Sequence, residues 1–179
     1  MKSNRVIGVV CALLLSVAVV PAFAKAKVAP KPGILHSTDL KTVLPGRVFF
    51  RGLSATTQLR NSGGVRFADG LMTMVALVDN GGYSNGIQQK YQAYLLTEVK
   101  LDFGGHVLVP GAYGVGFVPS GMGMQFVVMN LAAQDQFYTA AGHDLRMHRP
   151  VPLQIVPARE AGEYKLYFGR NNVVFGRAK

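Results

Sequence analysis

The chain has 179 residues and a mass of 19.3 kDa, and it is 49% apolar and 16% charged. This apolar fraction excludes a disordered chain, and the 21 glycines follow no three-residue period, which excludes collagen; the length fits one domain. The formal net charge of +10 predicts an attraction to anionic partners.

Residues 1–24 have the three zones of a secretory signal peptide. A positive start with Lys2 and Arg5 precedes an apolar run over residues 6–20 and a small-x-small cleavage site that ends at Ala24. The apolar run is shorter than the roughly 20 residues that span a bilayer. We therefore predict cleavage after this site, instead of a membrane anchor, and a secreted or periplasmic protein.

Residues 25–45 are predicted to form an extended basic lead-in outside the core, because they contain Pro30 and Pro32 and few large apolar residues. A single β domain is predicted to follow over residues 46–179. The only cysteine, Cys11, lies inside the leader, so the predicted mature chain has no thiol. It must rely on its hydrophobic core instead of disulfides.

The basic residues lie toward both ends of the predicted mature chain. Residues 25–66 carry a net charge of +7, residues 67–145 carry −4, and residues 146–179 carry +5. Outside the cytoplasm such ends would attract anionic lipid headgroups, lipopolysaccharide, acidic polysaccharide or extracellular DNA. No run of Lys and Arg with interleaved aromatic residues occurs, so the sequence does not predict a dedicated nucleic-acid site. The alternative is a solvated positive surface without a partner.

Alternating apolar residues and turn dipeptides predict a β meander after the lead-in. Short strands are expected over residues 47–51, 56–60, 65–68 and 71–78, with a turn at residues 61–64 (Asn-Ser-Gly-Gly).

The run Gly82-Tyr83-Ser84-Asn85-Gly86 matches G-x-S-x-G, the nucleophile elbow of serine hydrolases. In that motif a strained turn between a strand and a helix exposes the serine oxygen to a histidine base and an oxyanion hole. His148 follows two acids, Asp135 and Asp144, in the chain order that such a triad requires. The polar loop before the serine and the lack of alternating helices favour a glycine-rich connection between strands. We therefore predict no catalytic residues and keep a serine hydrolase using Ser84 and His148 as the alternative.

Residues 91–103 alternate between apolar and mixed side chains and are predicted to form one long strand. A helix over residues 87–99 is the alternative, because apolar residues there are spaced by three and four. A short turn of helix is also expected within residues 131–141.

The next predicted strand, residues 112–118, has large apolar residues on one face and Gly114 and Gly116 on the other. Glycine at alternate positions leaves room for another backbone or a large ring to lie close to that face. Further strands are expected over residues 124–131, 151–156, 164–168 and 173–175.

About ten short strands predict an all-β fold, an antiparallel β-sandwich, with a small closed β-barrel as the alternative. Alternating strands also suit a small outer-membrane barrel, although most of these strands are shorter than the roughly 9–11 residues that cross a bilayer.

The run Leu108-Val109-Pro110-Gly111-Ala112-Tyr113-Gly114-Val115, with residues 124–130 and 164–169 after it, resembles a class of exported bacterial β-sandwich domains of unknown function. In these domains an L-x-x-G-x-Y strand is followed by an apolar strand that ends in Asn and later by a closing hairpin. The resemblance covers residues 107–176. It implies the β fold and supplies no catalytic residues.

His143 and His148 are the only histidines close together in the sequence. Their spacing of five residues fits one face of neither a helix nor a strand, and Arg146 and Arg149 would repel a cation, so no metal site is predicted. Arg146, His148 and Arg149 are instead the candidate ligand-binding residues, for an anion. No phosphate-binding loop and no strand-flanked G-x-G-x-x-G occurs, so no cofactor is predicted.

These observations predict a non-catalytic binding or structural module outside the cytoplasm. Its expected partners are anionic polysaccharide, lipopolysaccharide or another exported protein, because the basic ends would steer toward negative charge while no motif for a buried ligand is present.

Overall fold

The computed structural model describes residues 31–121 and 123–179, so the predicted leader and its cleavage site lie outside the described residues. The described residues form thirteen strands and two short helices. The strands are β1 Gly33–Leu35, β2 Arg47–Phe50, β3 Leu53–Arg66, β4 Met72–Asp79, β5 Ala93–Thr97, β6 Leu101–Phe103, β7 His106–Leu108, β8 Gly111–Ser120, β9 Gly123–Met129, β10 Asp135–His143, β11 Gln154–Pro157, β12 Glu163–Phe168 and β13 Asn171–Arg177. The helices are α1 Ser37–Leu40 and α2 Asn85–Lys90.

The strands form one antiparallel sheet that is nearly closed into a barrel. Hydrogen bonds join them in the order β1, β3, β4, β5, β8, β9, β10, β13, β12 and β11, while β2 pairs with β3, and β6 pairs with β7 and β13. β11, at the far end of this order, contacts β3 near its other end. There the side chains of Leu153 and Ile155 pack against Gly63 of β3. The predicted all-β antiparallel class is confirmed, and the sheet fits the barrel alternative.

Apolar side chains fill the interior of this sheet. Phe103, Phe126 and Phe175, on β6, β9 and β13, are buried at its centre. The ring centroid of Phe103 lies 5.4 Å from that of Phe126 and 5.7 Å from that of Phe175, and both pairs are stacked. Because the three strands are distant in the sequence, this cluster contributes to holding the curled sheet together.

A second apolar cluster lies on the outer face, where β2 and α2 cover β8 and β9. A Cβ atom at Gly114 would lie 2.5 Å from Cε2 of Phe50, and one at Gly116 would collide with the carbonyl oxygen of Lys90. The prediction that these two glycines admit a large ring and another backbone is therefore confirmed.

The outer cluster contains two tyrosines with different hydrogen bonding. Tyr91 is fully buried and stacks on Phe50, with 3.9 Å between ring centroids. Its hydroxyl has no partner among the described residues, and burial raises the pKa of Tyr91. The hydroxyl of Tyr83, in contrast, is placed to donate to the carbonyl oxygens of Phe50 and Leu53, at 3.1 and 3.0 Å.

We expect Tyr91→Phe to leave the free energy of unfolding unchanged or to raise it by about 1 kcal/mol, because a buried hydroxyl without a partner is destabilising. Tyr83→Phe is the matched control and should lower it by about 1 kcal/mol, since it removes a bonded hydroxyl. Urea unfolding followed by circular dichroism measures both values. If Tyr91→Phe lowered the free energy of unfolding more than Tyr83→Phe, the Tyr91 hydroxyl could not be the one without a partner.

Residues 33–44 belong to the packed domain, whereas the sequence analysis placed residues 25–45 in an extended segment outside the core. β1 pairs with β3, and α1 packs on the outer face of β3 and β4. Three leucines of this segment are buried there: Leu35, Leu40 and Leu44. Their spacing of five and four residues matches neither a strand nor a single helix, and they form one surface only after β1, α1 and the following turn fold onto the sheet.

The turn predicted at residues 61–64 is wrong, because these residues lie inside β3. The extra residues form a bulge instead: Thr57 pairs with Val78 and Ser62 with Ala76, so between these pairs β3 has three residues more than β4. A Cβ atom at Gly64 would lie 2.7 Å from the carbonyl oxygen of Thr73. Glycine here allows a close approach of two strands and makes no turn.

The strand predicted over residues 91–103 is interrupted. Alternate residues are buried from Ala93 to Phe103, as predicted, but β5 pairs with β4 and β8 whereas β6 pairs with β7 and β13. The helix alternative holds only for α2, which ends at Lys90. The helical turn expected within residues 131–141 is wrong, because β10 begins at Asp135.

Candidate functional site

The loop between β10 and β11 carries the residues that the sequence analysis selected for anion binding. We call residues 144–152 the basic loop. The three side chains are all exposed: Arg146, His148 and Arg149. Two apolar side chains of the same loop are exposed as well, Leu145 at 81% and Val151 at 41%. The structure thus places the three predicted residues together on one exposed loop.

The start of the basic loop is tied to the turn between β12 and β13. The backbone N–H of Asp144 donates to the carbonyl oxygen of Arg170 at 2.9 Å. In return, Nη1 of Arg170 donates to the carbonyl oxygens of Asp144 and Leu145 at 3.1 and 3.3 Å. Next to them, Nδ1 of His143 lies 2.7 Å from Oδ1 of Asn171. A segment held in this way loses less conformational entropy when it binds a ligand.

The only acid of the basic loop, Asp144, interacts with neutral groups. One carboxylate oxygen accepts the backbone N–H of Arg146 at 3.0 Å, and the other lies 3.4 Å from the hydroxyl of Tyr167. Burial and the nearby carboxylate both raise the pKa of Tyr167, so this hydroxyl keeps its proton for the contact. The carboxylate of Asp144 therefore forms no ion pair with the exposed guanidinium groups of Arg146 and Arg149.

Within residues 31–121 and 123–179 the ion pairs are Lys90 with Asp135 and Arg177 with Asp69, each at 2.6 Å. Neither pair involves the basic loop, so Arg146 and Arg149 remain available to an external anion. Planar guanidinium groups suit carboxylate, sulfate and phosphate because they can donate two parallel hydrogen bonds.

The residues of the serine hydrolase alternative lie on separate elements. Ser84 is exposed and precedes α2, and its hydroxyl does not cap that helix. β4 ends at Asp79, and both of its neighbours, β3 and β5, are antiparallel to it. Among the hydrogen bonds of the described residues none joins Ser84 to His148, and the carboxylate of Asp135 is paired with Lys90. The alternative stays a prediction for a direct chemical test.

A crevice of about 840 Å³ lies where β13 changes neighbours. β13 pairs with β10 through Asn171 and Asn172 and with β6 through Gly176 and Arg177, and the crevice opens between these two pairings. Charges of both signs line it: Asp102, Glu160, Glu163, Lys165, Arg177 and Lys179. Sequence reasoning missed this crevice because separate segments form it and no local motif marks them. Its mixed charges favour no single class of ligand.

In the described part of the chain no group of three His, Cys, Asp or Glu side chains is arranged to hold a metal ion. No helix in that part is both long and apolar enough to cross a membrane.

No protein-family model, curated protein or solved structure matches the chain. The resemblance to exported bacterial β-sandwich domains therefore stays a prediction. The basic loop is a candidate site on its chemistry and geometry alone.

Proposed function

We propose that the protein is an exported, non-catalytic binding module that holds an anionic saccharide polymer, an acidic polysaccharide or the phosphorylated saccharide of lipopolysaccharide, through the basic loop. The observation that carries the proposal is the exposure of Arg146, His148 and Arg149 while Asp144 is bound by neutral donors. Surface loops on a rigid sheet are common positions for binding residues. A repeating anion could also contact the other basic residues of the C-terminal segment.

We expect the protein to be retained on a sulfated polysaccharide matrix and to elute as salt rises, because exposed charges are screened beyond about 8 Å at physiological ionic strength. Replacing Arg146 and Arg149 together with Gln should weaken binding about tenfold at 0.15 M salt, since two exposed contacts are lost. Elution salt and titration by calorimetry measure this change.

The matched control is the double variant Arg60→Gln and Lys100→Gln, which removes the same charge from other exposed positions. It should bind almost as tightly as the unaltered protein. Equal losses in the two double variants would mean that only net charge matters, and would overturn the assignment to the basic loop. Retention that does not respond to salt would overturn the electrostatic mechanism.

The non-catalytic part of the proposal is tested with a fluorophosphonate probe. Labelling that disappears in Ser84→Ala would support the serine hydrolase alternative and overturn a purely binding role. Export is tested by N-terminal sequencing of the protein purified after expression of the full chain. The expected first residue is Lys25. Recovery only from detergent-extracted membranes would support the outer-membrane alternative.

A further inference from the structure

A different surface of the molecule exposes large apolar side chains between arginines. It lies at the turn of the β2–β3 hairpin and includes the neighbouring turn between β9 and β10. Phe49 is 68% exposed, Leu53 49% and Leu131 42%. Arg47 and Arg51 are exposed beside them. We call these five residues the hairpin tip.

A backbone hydrogen bond joins the two turns of the hairpin tip. The backbone N–H of Arg51 donates to the carbonyl oxygen of Leu131 at 2.7 Å. On β2, Val48 and Phe50 are buried, so the alternate residues Arg47 and Phe49 face outward together. Leu53 pairs with Phe50 across the hairpin and so projects from the face opposite to Phe49, and the exposed apolar groups therefore surround the end of the hairpin. Leu131 joins them from the neighbouring turn, although it is distant from the others in the sequence.

Both turns are held in a defined shape. Arg51 and Gly52 have φ values of 49° and 76°, and two positive values are typical of the tight type I′ turn. The hydroxyl of Tyr83 lies within 3.1 Å of the carbonyl oxygens of Phe50 and Leu53, on both sides of that turn.

Hydrogen bonds to the side chain of Asn130 also hold the second turn, between β9 and β10. The side-chain oxygen of Asn130 accepts the backbone N–H groups of Ala132 and Gln134, each at 3.0 Å. These two hydrogen bonds define the conformation of the turn that carries Leu131.

The acids near the hairpin tip are bound to other groups. The carboxylate of Asp79 accepts the side-chain amide of Gln58 at 2.7 Å. The carboxylate of Asp135 is paired with Lys90 and accepts the hydroxyl of Tyr138, both at 2.6 Å. The five residues of the hairpin tip themselves carry two positive charges and no negative charge.

We propose that the hairpin tip inserts into the interface of an anionic lipid bilayer. Phe49, Leu53 and Leu131 would enter the boundary between headgroups and acyl chains, and Arg47 and Arg51 would contact lipid phosphates. These side chains are exposed on two tight turns, and none of them lines the crevice at β13, which fits the soft surface of a bilayer better than a concave protein partner. Basic residues next to inserted apolar groups add attraction to an anionic leaflet.

This inference is independent of the proposed function. The hairpin tip lies beside the turn that precedes β10, whereas the basic loop follows the end of β10. The two surfaces therefore lie at opposite ends of that strand. Either one can be altered while the other stays intact.

The chain contains no tryptophan, so one introduced tryptophan reports its own environment. We expect Phe49→Trp to show a blue shift of its emission with vesicles of phosphatidylglycerol and phosphatidylcholine, and quenching by brominated lipids. Vesicles of phosphatidylcholine alone should give a much smaller shift. The matched control is Val107→Trp, at a position that is 57% exposed on β7, and its emission should not change. Equal shifts at both positions, or none at residue 49, would overturn the proposal.

A second measurement tests which side chains bind. Phe49→Ser with Leu131→Ser should reduce cosedimentation with the anionic vesicles about tenfold, because two apolar side chains no longer enter the bilayer, and should leave retention on the polysaccharide matrix unchanged. The double variant of Arg146 and Arg149 should reduce retention on the polysaccharide matrix and leave cosedimentation with the vesicles unchanged. Vesicle binding that survives the two serine substitutions would overturn the proposal. Self-association that is lost in Phe49→Ser, without vesicle binding, would assign the surface to a second copy of the chain and also overturn it.

Discussion

Replacing Phe103 with alanine should lower the free energy of unfolding by about 3–5 kcal/mol, since it removes a buried ring from the centre of the sheet. Phe103 is 1% exposed, and its ring lies within 6 Å of the ring centroids of Phe126, Phe137 and Phe175. The truncation would leave a cavity among aromatic groups from three other strands. Because a domain of this size has a total stability of about 5–15 kcal/mol, this single change should bring the protein close to unfolding.

The matched control is Phe49→Ala, which removes the same group from a side chain that is 68% exposed. It should change the free energy of unfolding by less than about 0.5 kcal/mol. Urea unfolding at 25 °C, followed by far-UV circular dichroism, compares the two variants. A Phe103 variant that is no less stable than the Phe49 variant would contradict the position of Phe103 in the core.

Gly116→Ala should lower the free energy of unfolding by about 3 kcal/mol, because its new methyl group would collide with the carbonyl oxygen of Lys90. That oxygen belongs to the backbone at the end of α2 and cannot rotate away as a side chain could. Two residues after Lys90, Gln92 holds the backbone of Phe117 in both directions: its Nε2 donates to the carbonyl oxygen at 2.8 Å, and its Oε1 accepts the N–H at 3.1 Å. A displacement of this segment would strain both hydrogen bonds.

Gly81→Ala is the matched control, because nothing lies within 4 Å of its added methyl group and its φ is not positive. It should leave the protein equally stable, or more stable by up to about 1 kcal/mol, since alanine restricts the unfolded chain. Thermal and urea unfolding measure the difference. Similar midpoints for the two variants would show that α2 does not pack against β8 as closely as described.

The candidate site was only partly predictable. Arg146, His148 and Arg149 were found from the sequence because they are three basic side chains close together in the chain, whose charge disfavours a cation and attracts an anion. The structure was needed to show that the hydroxyl of Tyr167, on β12, contacts the carboxylate of Asp144. It was also needed to show that Arg170, in the turn after β12, donates to the backbone of the basic loop. The hairpin tip had no local signal at all. Phe49 and Phe50 are adjacent phenylalanines in one strand, and only the packing of β2 on β8 buries one and exposes the other.

The all-β class and the close approach of other groups to Gly114 and Gly116 could be predicted from local sequence patterns. These are local properties, because side chains alternate between faces within one strand and a missing Cβ leaves space at its own position. Only the tertiary contacts determine that the sheet curls until it is nearly closed into a barrel, that β5 and β6 pair with different neighbours, and that residues 33–44 join the core. Alternate burial is the same in a sandwich and in a barrel, so the choice depends on which distant strands meet, and that depends on long-range contacts such as those of Phe103 with Phe126 and Phe175.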